Sequence, residues 1–98
     1  MTIDPKLQND IKNIVFRYLD SSDTKVFVFG SRVNGTNRKF SDIDLGLESN
    51  NSIPYTLVLD IEDEFENSNI PYSVDVVDFS KVSEKFKAVA KQNVMYLN

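Results

Sequence analysis

Cysteine, histidine and tryptophan are all absent from this sequence of 98 residues. Without cysteine, no disulfide framework can staple the fold. Without cysteine or histidine, zinc sites, Ser-His-Asp triads and cysteine nucleophiles are excluded, and carboxylates remain as the only strong general bases. No apolar run approaches the roughly 20 residues that a membrane-spanning helix needs. The start, Met1-Thr2-Ile3-Asp4-Pro5, lacks the basic region and long apolar core of a signal peptide. These absences predict a soluble, cytoplasmic chain with no membrane contact. A basic surplus is missing too: the formal charge of -4 argues against a clamp on a nucleic-acid backbone. Phosphates, if this chain meets them, are expected to be met through metal ions.

What is present is an ordinary globular composition, 41% apolar with seven Phe and four Tyr. A chain this short is expected to be one small domain over residues 1–98, whose folding removes roughly 60–70% of the unfolded surface. Ile3, Leu7, Ile11, Ile14, Val15, Tyr18 and Leu19 recur at helical spacing after an Asp4-Pro5 start, which predicts a helix over about residues 4–20. Lys25-Val26-Phe27-Val28-Phe29, bounded by Gly30, reads as a buried strand. Residues 30–41 read as a loop. Asp42 to Glu48 alternates as a second strand, with Ile43, Leu45 and Leu47 on one face and Asp42, Asp44 and Gly46 on the other. Pro54 is placed to begin a helix carrying Leu57, Val58, Ile61 and Phe65 as one stripe. Asn67-Ser68-Asn69-Ile70-Pro71 breaks it, Tyr72 to Val77 reads as a third strand, and a last helix is expected from near Ser80 to Asn93, with Val82, Phe86, Val89 and Ala90 inward.

The order helix, strand, strand, helix, strand, helix predicts an α/β (α+β) fold with a small three- to four-stranded mixed sheet. Its minimal form is three strands with helices on one face. The helix between strands two and three is a crossover, so those strands should be parallel neighbours, joined right-handedly. Strand one, connected by a loop too short for a full crossover, should run antiparallel to strand two.

The candidate chemistry follows from this placement. Carboxylates at i and i+2 on one strand lie on the same side with Cα atoms roughly 6.5–7 Å apart. Mg²⁺ is commonly held by one or two carboxylates together with substrate phosphates, so the Asp42-x-Asp44 pair suits it. Asp75, in the otherwise apolar run Val74-Asp75-Val76-Val77, is expected to be a third ligand on the neighbouring strand, because a buried carboxylate needs a partner. Three converging acids match a two-ion site of the kind that stabilises both oxygens of an in-line displacement at phosphorus. Gly30 permits a sharp turn and close backbone approach. The Ser31 hydroxyl and amide could bond the β- and γ-phosphates of a nucleotide, and Arg32 could offset their charge.

Gly30-Ser31-Arg32, then Ser41-Asp42-Ile43-Asp44-Leu45, then Val74-Asp75-Val76-Val77-Asp78 resembles, in order and spacing, the nucleotidyltransferase fold of the polymerase-β superfamily. Short length and the ending Gln92-Asn93-Val94-Met95-Tyr96-Leu97 look most like its minimal nucleotidyltransferases, the MntA-type antitoxins paired with HEPN-domain toxins. The resemblance implies transfer of AMP from ATP to a hydroxyl of a HEPN toxin in a hetero-oligomer. It implies Asp42 and Asp44 as Mg²⁺ ligands, with Asp75 completing the site and helping to deprotonate the acceptor. Where many relatives carry a second basic residue, this chain has Asn34.

Several residues carry a plainer expectation. Asp78, three positions from Asp75 and hence on the opposite face, is read as a cap on the last helix. Asp60, Glu62, Asp63, Glu64 and Glu66 are read as a solvent face, as are Lys81, Lys85, Lys87 and Lys91. Arg38 and Lys39 are read as a solvated basic pair. Gly46 is expected to permit close approach of backbone or nucleotide, or simply packing, and Tyr96 is expected in the core. Two other functions compete: a non-catalytic antitoxin acting by stoichiometric binding, and an aminoglycoside-type transferase acting on a small molecule.

Overall fold

Asp4 opens the first helix by accepting a hydrogen bond on its side chain from the Lys6 amide at 2.9 Å, ahead of Pro5 at the first helical position. The computed structural model describes residues 3–30 and 42–98. Helix α1 spans Pro5–Val15, shorter than the periodicity suggested. Beyond Val15 the chain tightens into three-residue turns, Arg17 to Ile14 and Tyr18 to Val15, so Phe16, Tyr18 and Leu19 still pack on the core without being helical.

The remaining elements are β1 (Thr24–Phe29), β2 (Ile43–Ser49), α2 (Tyr55–Glu66), β3 (Val74–Asp78), α3 (Glu84–Ala90) and β4 (Val94–Tyr96). They form one four-stranded sheet in the order β3-β2-β1-β4. As expected, β1 runs antiparallel to β2, and β2 runs parallel to β3 across the α2 crossover. The last helix, expected from near Ser80 to Asn93, is confined to Glu84–Ala90, and a fourth strand follows it. Val94–Tyr96 pairs antiparallel with β1, and the Asn98 side chain extends that ladder, accepting from the Val26 amide at 2.8 Å and donating to the Thr24 carbonyl at 2.7 Å.

The two faces of the sheet are covered differently, which corrects the expectation of helices on one side only. On one face Val26, Val28, Ile43, Leu45, Leu47, Val74 and Val76 meet Ile11, Ile14 and Val15 of α1 and Val58, Ile61 and Phe65 of α2 in a continuous aliphatic core. On the other, Phe27, Phe29 and Phe79 form a separate aromatic cluster against Val77, Val82, Ala90 and Val94. The Phe27 and Phe79 rings meet edge to face at 4.8 Å between centroids, and Phe29 and Phe79 at 5.2 Å.

Gly46 lies beneath this cluster. A Cβ there would fall 2.4 Å from the Phe27 ring and 2.8 Å from Phe79, so its absent side chain serves packing. Helix α3, capped by Ser83 rather than Asp78, buries none of its residues; Phe86 and Val89, expected inward, are 42% and 62% exposed. Tyr96, expected in the core, is 46% exposed beside Phe27.

Candidate active site

β1 leaves the sheet through Gly30, whose φ of 84° lies in the left-handed region that a residue with a side chain rarely enters. The turn passes directly over the second acid of the Asp-x-Asp pair: a Cβ on Gly30 would come within 2.5 Å of Asp44 Oδ2. Both the backbone angle and the available space therefore call for glycine. Strand register aligns Phe29 with Asp44 across the antiparallel pair, and Asp44 with Asp75 across the parallel pair. Residues paired in register share a face, so Asp44 and Asp75 both project on the Phe27 and Phe29 side. Asp42 precedes β2 by one residue and is exposed.

The three acids differ in environment. Asp44 is half-buried, and its pKa is raised above the ordinary carboxylate value, first by desolvation, then by repulsion from Asp75 and from Asp42. Negative charge is thus gathered where burial already disfavours it. Asp75 is exposed, which overturns the expectation of a buried acid in need of a partner: β3 is an edge strand, and the side away from α1 and α2 is open at that point. Its place in the site comes from its register with Asp44 instead.

Among the described residues, no three acidic side chains are drawn close enough to enclose a metal by themselves. The donor set nevertheless suits a hard cation that takes only one or two protein carboxylates and completes its octahedron with phosphate oxygens and water. It consists of oxygen ligands alone, with like charges facing one another. Ser31 and Arg32, the expected phosphate contacts, lie outside the described residues, as do Asn34, Arg38, Lys39 and Ser41.

Several acids and lysines read as solvated are engaged elsewhere. Glu62 Oε2 accepts from the Val76 amide at 3.1 Å, capping the outer edge of β3 one residue beyond Asp75. Glu64 accepts from Arg17 Nη1 and the Tyr18 hydroxyl, both at 2.9 Å, and ties α2 to the end of α1. Lys91 pairs with Glu48, which raises the lysine's pKa, and its ammonium lies 5.7 Å from the Phe27 ring centre. Glu48 shares the face of Asp44 but sits four residues along β2, roughly 13 Å away, so this pair braces α3 and is no part of the acid site. Asp78 is buried and holds the turn after β3, accepting from the Ser80 amide at 2.9 Å and the Ser80 hydroxyl at 2.8 Å. Only a sense of which face each element covers could have exposed these roles in the sequence.

Comparison with known proteins agrees with this geometry. The profile of the family described as "Polymerase beta, Nucleotidyltransferase" matches residues 7–97. Over 70 residues the chain is 33% identical to the "Probable protein adenylyltransferase MntA" of Haemophilus influenzae, a match covering 71% of this chain and 61% of that relative's length. A crystal structure described as a toxin-antitoxin with AMP-PNP superposes with a TM-score of 0.79 at 20% identity, over 93% of this chain and 72% of that one. Another, of a tri-AMPylated Shewanella oneidensis HEPN toxin in complex with MNT antitoxin, does so with a TM-score of 0.64 at 17% identity, over 93% and 71%. At those identities the structural likeness is one of fold.

Proposed function

Because this chain belongs to the Polymerase beta, Nucleotidyltransferase family, we propose that it is a Mg²⁺-dependent nucleotidyltransferase, an antitoxin that transfers AMP from ATP to a hydroxyl of a HEPN-domain toxin in the cytoplasm. The observation that carries this reading is the alignment of Asp44 with Asp75 on adjacent strands, directly beside the Gly30 turn. Similarity to an adenylyltransferase of H. influenzae supports AMP as the group transferred. The known complex of an AMPylated HEPN toxin with an MNT antitoxin supports the class of partner.

In this reading Asp42, Asp44 and Asp75 hold two Mg²⁺ ions, and Gly30, Ser31 and Arg32 receive the triphosphate. Bound there, the metal would neutralise charge on the phosphates and on the pyrophosphate that leaves. The acceptor oxygen attacks the α-phosphorus, the bond to the β-phosphate oxygen breaks, and pyrophosphate departs. In this reading Asp75, exposed at the sheet edge, takes the proton of a hydroxyl arriving from solvent. Asp44, half-buried beneath the Gly30 turn, is held close to where the phosphates enter.

The test is to incubate the protein with Mg²⁺, ATP labelled at the α-phosphate and a HEPN-domain protein from the same organism. Label on that partner is the expected outcome, and no label would sink the proposal. Neutralisation of the toxin by a chain carrying Asp42→Asn and Asp44→Asn would show that stoichiometric binding suffices. Transfer to aminoglycosides but not to protein would favour a small-molecule acceptor.

A further inference from the structure

Helix α3 presents apolar side chains that the core does not use. Phe86 and Val89 are 42% and 62% exposed, although Phe86 touches Phe29 edge to face at 6.2 Å and Phe79 at 5.8 Å. Between this helix and the end of β1 lies an open cleft of about 240 Å³ lined by Phe29, Gly30, Phe86, Val89, Ala90 and Asn93. Among the described residues its walls are mostly apolar, and Asn93 supplies a side-chain amide. It shares Gly30 with the acid site, since the same glycine leaves room for Asp44.

We propose that this cleft receives the nucleobase of the nucleotide whose phosphates meet the acids, with Phe86 and Val89 covering the ring and Asn93 reading its edge. The proposal rests on the nucleotidyltransferase reading and adds to it the residues that hold the base. Three features favour a base as the occupant. The cleft begins at the turn assigned to the phosphates, so a nucleoside attached to them lies within reach. Its volume falls below the roughly 300–1,000 Å³ typical of pockets that enclose a whole drug-sized ligand, and a single flat ring system suits that size. Among the described residues its lining carries no charged side chain, which fits a neutral aromatic ring, and an asparagine amide offers a donor and an acceptor together, the pair that adenine's edge complements.

The test compares binding of ATP and of inorganic tripolyphosphate to the full chain in the presence of Mg²⁺, for the parent protein and for Val89→Ser and Asn93→Ala. Both changes lie on exposed positions outside the core, and Phe86 is avoided because it also packs on Phe29. The parent is expected to bind ATP at least about tenfold more tightly than tripolyphosphate, as stacking on side chains commonly provides. Val89→Ser should narrow that gap several-fold while leaving tripolyphosphate affinity unchanged, and Asn93→Ala should reduce the preference for ATP over GTP. Equal affinity of the parent for ATP and tripolyphosphate would overturn the proposal. So would a Val89→Ser protein that keeps the full gap, or one that loses only its affinity for a protein partner. The readout is separable from transfer: a chain that binds ATP through its base yet labels nothing keeps this proposal and loses the preceding one, and a chain that transfers AMP with affinity indifferent to the base does the reverse.

Discussion

The two faces of the sheet solve different problems with the same four strands. Toward α1 and α2 the sheet presents Val26, Val28, Ile43, Leu45, Leu47, Val74 and Val76, closed over by helix side chains, and Val15, Ile11 and Ile61 are completely buried. Toward α3 the cover is partial: three phenylalanines and Gly46 seal the middle, a salt bridge closes one end, and the other end stays open around Asp42, Asp44 and Asp75. Burial is concentrated on the first face, and the proposed site lies where the second is left unfinished. The contrast teaches that a domain this small can keep an electrostatically unfavourable site because the burden of folding lies on the other side of its sheet.

Breaking the aliphatic face should have the largest effect. Ile61→Ala leaves a cavity between α2 and the sheet and should cost about 3 kcal/mol, read as a lower urea midpoint. Next comes the seal on the other face. Gly46→Ala forces a methyl group into the Phe27 and Phe79 rings, and overpacking of this kind costs about 2 kcal/mol. Near-ultraviolet circular dichroism should report the displaced rings, and an unchanged spectrum with unchanged stability would contradict the assigned role of Gly46.

The acid site should respond in the opposite sense. Asp44→Asn removes a carboxylate whose pKa is raised in the fold, so the variant should melt at a higher temperature, while nucleotidyl transfer falls by at least the roughly 10–100-fold that loss of an outer-shell partner alone costs a metal site. The pH dependence follows from the same shift. A raised pKa means that the folded state holds the proton more tightly than the unfolded chain, so stability declines as pH rises from the unfolded value through the folded one. The advantage of Asp44→Asn should therefore be complete at neutral pH and vanish as pH falls below the ordinary carboxylate range. Denaturation at neutral and at acidic pH checks this. The smallest effect belongs to Lys91→Ala: its bridge to Glu48 is partly exposed, and such pairs contribute less than about 1 kcal/mol.

Much of this contrast was legible in the sequence, and its limits have physical causes. Period-two alternation located β2 and put Asp42 and Asp44 on one face, because side-chain alternation is a local property of a strand. The parallel pairing of β2 with β3 followed from the length of the α2 connection. Burial was harder to read. Asp75 sits among valines, yet it is exposed, because exposure depends on β3 being an edge strand, which no local pattern reveals. Val94, Met95 and Tyr96 of β4 are too few to show a period, and their strand exists through pairing with β1. Periodicity alone carries α1 past its end, because Tyr18 and Leu19 keep apolar spacing while packing from a turn.

The central claim is that the open face holds its acids in mutual repulsion that a cation and nucleotide relieve. Carboxyl carbon NMR of Asp44 across a pH titration, with and without Mg²⁺ and a non-hydrolysable ATP analogue, tests it most directly. The account predicts a raised Asp44 pKa in the free protein that drops below the ordinary carboxylate value when both are added. An Asp44 that titrates identically in their presence and absence would contradict it.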